Sequence, residues 1–316
     1  MNLLGTKAKT SAELYEIVKN IADNSEVFYE STKYVDGYKT SMFDYLLAYY
    51  SDFGEFGEIN RELRGLTFIW YNDKVVSHWV ALDKFFNLNE NPSTLYDFVK
   101  DYEILSVHDK LDGSMITPVL LPNGKVRMKT KMAFESDMAV RSQAIVESNE
   151  ELYEQIKLMV EMGFVPVFEY TAPSNQIVVG YKEEKLTLLK IRCNTTGVYR
   201  NFKDFYLPNI IDVAEKFDFT LEELMSKHHT DEGVEGWIVQ FTNGQIIKIK
   251  TRWYLDLHGT VSNPHKSIHT IATKALDSEL DDLLSRYPEG STRDLIIMVQ
   301  DKTFEKYHEH IKTIKN

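Results

Sequence analysis

Cysteine is almost absent: Cys193 is the single one among 316 residues. That excludes an internal disulfide framework and a zinc site built on several cysteines. No run of eighteen apolar residues occurs, so no membrane-spanning helix is expected. Residues 1–7 (MNLLGTK) lack the continuous apolar stretch of a secretory signal, and a reducing cytoplasm is the expected setting. There are no internal repeats and no low-complexity tracts. The pairs His228-His229 and His308-x-His310 have no further ligands at metal-site spacing, so surface positions are expected for them. Positive charge is also in short supply, with a net charge of −12. Taken as a sum, this argues against a nucleic-acid binder. Binding, however, depends on where the cations lie.

What is present suits a packed core: 43% hydrophobic, 27% charged and 12% aromatic residues. The length allows one large domain or two ordinary ones. Residues 11–24 place Leu14, Ile17, Val18 and Ile21 at helical spacing, with Ser11 as the expected N-cap. Segments 65–71 and 74–81 read as strands around Tyr71-Asn72-Asp73. Further strands are expected at 105–107, 115–121, 125–131, 164–170, 175–180, 185–192, 235–241 and 245–250. Residues 136–162 read as helical. After about 255 the pattern turns helical, at 265–285 and 292–313, separated by Pro288-Glu289-Gly290. The reading is a mixed α+β catalytic domain over 1–255 and a small all-α domain over 256–316.

Three lysine-bearing segments and two carboxylates carry the chemistry. Lys110-Leu111-Asp112-Gly113-Ser114 offers an amine that can attack the α-phosphorus of a nucleotide and expel pyrophosphate. Gly113 would let backbone approach the nucleotide. Lys-x-Asp-Gly alone arises by chance in on the order of one such chain in fifteen. In 125–131, Lys125, Arg127, Lys129 and Lys131 fall on one strand face, either a solvated edge or a cationic ledge for phosphates. In Ile246-Ile247-Lys248-Ile249-Lys250 the two lysines share a face opposite Ile247 and Ile249. If that face is interior, it requires an anion, and a nucleotide phosphate would serve. Glu169 shares a face with Val165 and Val167, whereas Glu235 opens a strand, where solvation is usual.

Neutralising a free lysine near pH 7 costs roughly 4–5 kcal/mol. Lys248, Lys250 or a bound cation would lower that cost for Lys110, while Asp112 or Glu169 alone would raise it. A lysine nucleophile among carboxylates therefore implies a metal, and Mg²⁺ suits oxygen ligands.

The segments and their order resemble the covalent nucleotidyltransferases, and in detail the phage RNA ligase 1 family. The matching stretches are Leu63-Arg64-Gly65-Leu66-Thr67-Phe68, Lys84 to Glu90, Lys110 to Ser114, Lys129-Thr130-Lys131, Phe168 to Val178, Glu235 to Val239 and Lys248 to Tyr254. The resemblance implies a nucleotidyltransferase fold of ATP-grasp-like antiparallel sheets with flanking helices. It implies an ATP-dependent RNA ligase in which Lys110 becomes adenylylated and Mg²⁺ or Mn²⁺ assists. Glu169 and Glu235 would support the lysine, the ribose or the metal, and Lys248 and Lys250 the α-phosphate. Arg64 and Lys84 would hold the β- and γ-phosphates. Lys131, with Lys129 weaker, takes a basic position, and Phe86, Asp112, Gly113 and Tyr254 lie at the adenosine or lysine. The implied partner is RNA with 5′-phosphate and 3′-hydroxyl ends, single-stranded or a nicked tRNA loop, acted on by a monomer without membrane contact. Ser114 replaces the arginine usual in DNA ligases, and no OB-fold strand set follows 255. Both count against a DNA ligase or capping enzyme. The presence of the site lysines and glutamates counts against a non-catalytic RNA-binding relative. The segment after Tyr254 is about half as long as the family's C-terminal helical domain, which leaves the kind of RNA open.

Overall fold

The computed structural model describes residues 8–205, 211–257, 268–287 and 290–315. Expectations for 1–7, 265–267 and Pro288-Glu289 lie outside them. The chain forms two compact units: Met1–Tyr45, Ser51–Lys84 and Asp112–Ala214 in the first, and Leu46–Tyr50, Phe85–Leu111 and Glu215–Asn316 in the second. The mixed α+β class with largely antiparallel sheets holds in both, with one short parallel pair in each: Asp212–Val213 beside Lys185–Cys193, and Phe86–Asn87 beside Ile246–Lys250.

The first unit begins with the helix Ser11–Asp23. Its N-cap is Thr10, not Ser11: the Thr10 side chain accepts from Glu13 N, and Glu13 reciprocates. Ser11 instead meets His78 Nδ1 at 2.8 Å. The helix packs beside a four-stranded antiparallel sheet of Phe28–Val35, Tyr38–Tyr45, Leu66–Tyr71 and Lys74–Trp79, in chain order. Asn72 and Asp73 both take positive φ, which matches the twist of a two-residue hairpin. Asp36 and Gly37 do the same for the first hairpin, which the strand reading above omits.

A second sheet orders Tyr199–Arg200, Lys185–Cys193, Phe164–Thr171, Ser114–Leu120 and Val126–Lys129 antiparallel. Segment 175–180 is not a strand. The Val178 and Val179 N–H groups go to the Asp112 carboxylate rather than to a ladder. Residues 136–162 form two helices, Asp137–Glu147 and Glu150–Glu161. The break follows from Asn149, whose side chain accepts from Leu152 N and restarts the helix as an N-cap. Arg192 is fully buried and donates to Glu62 twice, at 2.7 and 2.9 Å, and to the Gly197 carbonyl.

The second unit holds a five-stranded sheet in the order Lys216–Phe217, Ile104–Lys110, Gly236–Phe241, Ile246–Lys250 and Phe86–Asn87. Val107, Trp237, Val239, Ile247 and Ile249 pack one face against Leu221 and Leu224 of the helix Leu221–Thr230. The hairpin Gly236–Phe241/Ile246–Lys250 turns at Asn243-Gly244, where Gly244 N donates to Phe241 O and Gln245 N to Asn243 Oδ1. Helices Ile268–Leu276, Leu280–Arg286 and Ser291–Lys315 form a second core around Ile271, Leu280, Leu283, Ile296 and Leu47. Among the described residues no helix is long and apolar enough to cross a membrane.

Candidate active site

Strand register in the second unit sets Lys110, Gly236 and Lys250 abreast. Gly236 lies opposite Lys110 on one neighbour and opposite Lys250 on the other. A side chain at Gly236 has no room: a Cβ would collide with the Ile249 carbonyl oxygen and lie 2.7 Å from Lys250 Cα. Its φ of +148° also suits glycine. Glu235, the preceding residue, is 3% exposed. Its Oε1 forms ion pairs with Lys110 Nζ at 2.6 Å and with Lys250 Nζ at 3.2 Å. Glu235 Oε2 is buried without a hydrogen-bond partner. An orphaned buried acceptor beside two ammonium groups fits a ribose hydroxyl or a water of a hydrated divalent cation.

The alternation along Ile246–Lys250 is as the sequence indicates, with Ile247 and Ile249 in the core and both lysines on the other face. The anions that meet them are carboxylates of the C-terminal segment. Lys248 Nζ lies 3.1 Å from Asp281 Oδ2, and Lys250 Nζ lies 2.7 Å from Asp282 Oδ2. Burial works against the Lys250 charge, but Asp282, Glu235 and Asp281 outweigh it and raise its pKa above the ordinary lysine value. Lys250 Nζ also sits 5.0 Å above the ring of Tyr254, which is 2% exposed. Phe86 is buried on the strand paired with Ile246–Lys250, opposite Ile247. Beside Lys110, the Asp109 carboxyl is pushed up to about 6 by burial, then by Glu215 and Glu235. A cavity of about 400 Å³ is lined by Asn87, His228, Lys248, Lys250, Arg252 and Tyr287, among others.

The first unit gathers two further groups. Asp112 is buried, and its Oδ2 accepts from Val178 N and Val179 N at 2.8 Å each, so it holds that loop. Glu169 Oε1 accepts from Gly113 N at 3.1 Å. The need for glycine at 113 has a local cause: a Cβ would collide with the Tyr170 carbonyl oxygen and lie 3.0 Å from Thr171 Cγ2. The close approach in the structure is to the neighbouring strand Phe164–Thr171. Glu169 lies between buried Phe168 and Tyr170 and opposite Met115.

Arg64, Lys84 and Lys131 surround Tyr45. Lys84 Nζ is 5.3 Å from the Tyr45 ring and 5.3 Å from that of Phe53, and Lys131 Nζ is 5.1 Å from the Tyr45 ring. Burial pushes the Tyr45 phenol up, but Lys84, Arg64 and Lys131 together bring it below its ordinary value. Arg64 Nη1 donates to the Leu82 carbonyl at 3.3 Å. Lys131 pairs with buried Asp44 at 2.8 Å.

The cationic ledge over 125–131 is not formed. The strand ends at Lys129, Arg127 pairs with Asp36, and Lys129 is 1% exposed. Lys129 Nζ donates to the carbonyls of Gly65, Thr130 and Lys131 at 3.2, 3.0 and 3.1 Å. Three carbonyls satisfy its three N–H groups, so the side chain turns inward. Its pKa is lowered to about 7 by burial, with Lys131 adding and Asp44 opposing.

Sequence reasoning missed Tyr45, Asp44, Asp281 and Asp282. Asp281-Asp282 carried a weak signal, two acids at the start of an apolar helical stretch. Nothing local marked Tyr45. Among the described residues no cluster of three histidine, cysteine or acidic side chains could hold a metal.

The family described as RNA ligase matches residues 62–255. A provisionally named RNA ligase of Thermovibrio ammonificans is 29% identical over 244 residues, covering 75% of this chain and 63% of the relative. The chain thus spans less than two thirds of that relative's length. Two structures of an archaeal ATP-dependent RNA ligase, form 2 and form 1, are similar at TM-scores of 0.54 and 0.52 with 11% and 10% identity. They cover 98% and 94% of this chain and 80% of each archaeal chain. At that identity the likeness shows the fold, that of ATP-dependent ligase nucleotidyltransferases.

Proposed function

This chain belongs to the phage RNA ligase 1 family, and we propose that it is an ATP-dependent RNA ligase acting through a covalent lysyl-AMP on Lys110. The observation that carries the reading is Lys110 Nζ at 2.6 Å from Glu235 Oε1, an oxygen it shares with Lys250. A carboxylate shared by two lysines fixes the direction of the amine that would attack.

The reaction has three transfers. The Lys110 amine attacks the α-phosphorus of ATP, forming an N–P bond, breaking the bond to pyrophosphate and giving up a proton. An RNA 5′-phosphate then attacks the lysyl-AMP phosphorus, which frees the lysine and yields a 5′–5′ pyrophosphate. Last, a 3′-hydroxyl attacks the RNA 5′-phosphorus, forming a phosphodiester and releasing AMP. Lys248 and Lys250 stabilise charge on the α-phosphate, and Arg64, Lys84 and Lys131 hold the outgoing phosphates. Glu169 and Glu235 serve the ribose hydroxyls or a divalent cation, with Gly113 N donating to Glu169 and Asp112 holding the loop at Val178 and Val179 beside it. Phe86 and Tyr254 pack the pocket beneath the lysines. A cation, Mg²⁺ or Mn²⁺, supplies further neutralisation of phosphate charge when bound. The substrate class is RNA with 5′-phosphate and 3′-hydroxyl ends, single-stranded or a nicked tRNA loop, in RNA repair. The enzyme is proposed to act as a cytoplasmic monomer. The functional division is a catalytic region over 1–255 and a helical region over 256–316.

The test is incubation with α-labelled ATP and Mg²⁺. Label should survive denaturation on the wild type and vanish in Lys110→Ala; an unlabelled wild type would remove the ligase reading. Offering 5′-phosphorylated single-stranded RNA against nicked DNA then separates the substrate classes, with RNA joined or circularised as the expected result.

A further inference from the structure

The lysines of Ile246–Lys250 meet carboxylates that come from the helical segment after residue 268. Leu280 and Leu283, both nearly fully buried, seat the helix Leu280–Arg286 against Ile271, Ile296 and Val299. That places Asp281 and Asp282 on the side facing the lysines, at 3.1 Å from Lys248 and 2.7 Å from Lys250.

Asp282 is held from a second direction. Its Oδ1 accepts from Asn87 Nδ2 at 3.4 Å, and Asn87 is itself fixed by Glu90 Oε2 through its backbone N–H at 2.7 Å and its amide at 3.1 Å. Arg293 ties the same parts together, donating to the Glu90 carbonyl at 2.7 Å and to the Leu284 and Tyr287 carbonyls at 2.8 and 3.0 Å. Asn87 lies opposite Lys248 in the sheet, so the support and the lysines share one register. Removing Asp282 from Lys250 would therefore require unseating a packed helix and its polar anchor. That argues for a fixed support rather than a counter-ion that exchanges.

An ammonium has three N–H groups. Lys248 directs one to Asp281 and Lys250 directs one to Asp282, with Glu235 ion-paired to Lys250 at 3.2 Å. Each lysine keeps N–H capacity beyond these carboxylates, so it can reach a phosphate oxygen without releasing its support.

We propose that Asp281 and Asp282 are positioning residues that hold the Lys248 and Lys250 ammonium groups for nucleotidyl transfer, making the C-terminal helical segment a working part of the adenylylation machinery. The chemical role rests on the ligase reading above; the holding of the lysines does not.

The test uses the full chain as Asp281→Asn, Asp282→Asn and the double variant, with Asp282→Glu as the conservative control. Single-turnover formation of the AMP adduct gives a rate constant at saturating ATP, a half-saturating ATP concentration and an amplitude. The expected result is a rate constant lower by about tenfold in each single variant and more in the double, with half-saturation within about twofold. Amplitude should be unchanged, and Asp282→Glu should recover part of the rate. An unchanged or faster rate with tighter ATP saturation would overturn the proposal, since the carboxylates would then be competing with phosphate. Loss of amplitude at an unchanged rate constant would also overturn it, leaving only support of the fold. Acetylation of Lys248 and Lys250, followed by mass spectrometry, reads the contact without any activity. Reactivity at both should rise several-fold over Lys110 in the double variant, and equal reactivity would overturn the proposal. If the wild type takes no AMP label but the acetylation contrast appears, the ligase reading fails and the positioning contact stands.

Discussion

Two cationic clusters are built on different chemistry. In the second unit, Lys110, Lys248 and Lys250 are held by carboxylates: Glu235, Asp281 and Asp282. In the first, Lys84 and Lys131 lie over the Tyr45 and Phe53 rings, with Asp44 on Lys131. A carboxylate fixes a cation tightly but cancels much of its field. An aromatic face attracts more weakly and leaves the charge available. The first arrangement fixes the direction of each amine. The second holds its cations more loosely, with Asp44 still pairing Lys131.

The comparison is broken most severely at Glu235, the carboxylate that two lysines share. Glu235→Gln keeps the shape but removes the charge, and adenylylation should fall by about a hundredfold or more. A single-turnover rate within tenfold of wild type would mean that the shared oxygen does not organise the amines.

A smaller effect probes the first unit through Lys129. Its folded pKa, about 7, lies below that of an unfolded lysine, about 10.4. Between those values the unfolded chain binds the extra proton, so stability rises with pH. The cost of burying the charge is complete below about pH 7 and fades as pH approaches 10. Melting temperature should climb by several degrees from pH 7 to 9 in the wild type, but less steeply in Lys129→Met. Parallel pH curves for the two proteins would contradict the assignment.

The smallest effect sharpens the aromatic side. Tyr45→Phe retains a ring and should leave the KM for ATP nearly unchanged. Tyr45→Leu should raise it a few-fold, in line with about 0.5–1 kcal/mol per exposed cation–ring contact. Equal behaviour of the two variants would show that the ring face does not hold these lysines.

The legible parts were those whose physics is local. Period-two alternation placed Lys248 and Lys250 opposite Ile247 and Ile249, and the hydrophobic pattern located most strands within a residue or two. The Asp36-Gly37 hairpin was equally legible from its turn residues but was passed over. What alternation could not supply was the destination of a side chain. Lys129 was read as an outward residue, on a solvated edge or a ledge, because one of its carbonyl partners, Gly65, is distant in sequence and only the fold brings it near. The ion pair of Arg192 with Glu62 is hidden for the same reason. The lysine pair was expected to need an anion, and that physics was sound. Its identity, Asp281 and Asp282, depended on how two short helices pack with the long helix Ser291–Lys315. The division between 137–147 and 150–161 turned on one side chain, Asn149, competing with its own backbone.

The turn at Asn243-Gly244 has a consequence for how this chemistry can change. Because neighbouring strands read one another in steps of two residues, the turn sets the phase of everything after it. One residue inserted there would rotate Lys248 and Lys250 into the space of Ile247 and Ile249, and would carry isoleucines to the face where Glu235 waits. The lysine-bearing end of the hairpin is thus timed from its opposite end, by residues that touch neither lysine. Length at that turn is a constraint on the chemistry, whereas its composition is free to vary so long as the tight reversal survives.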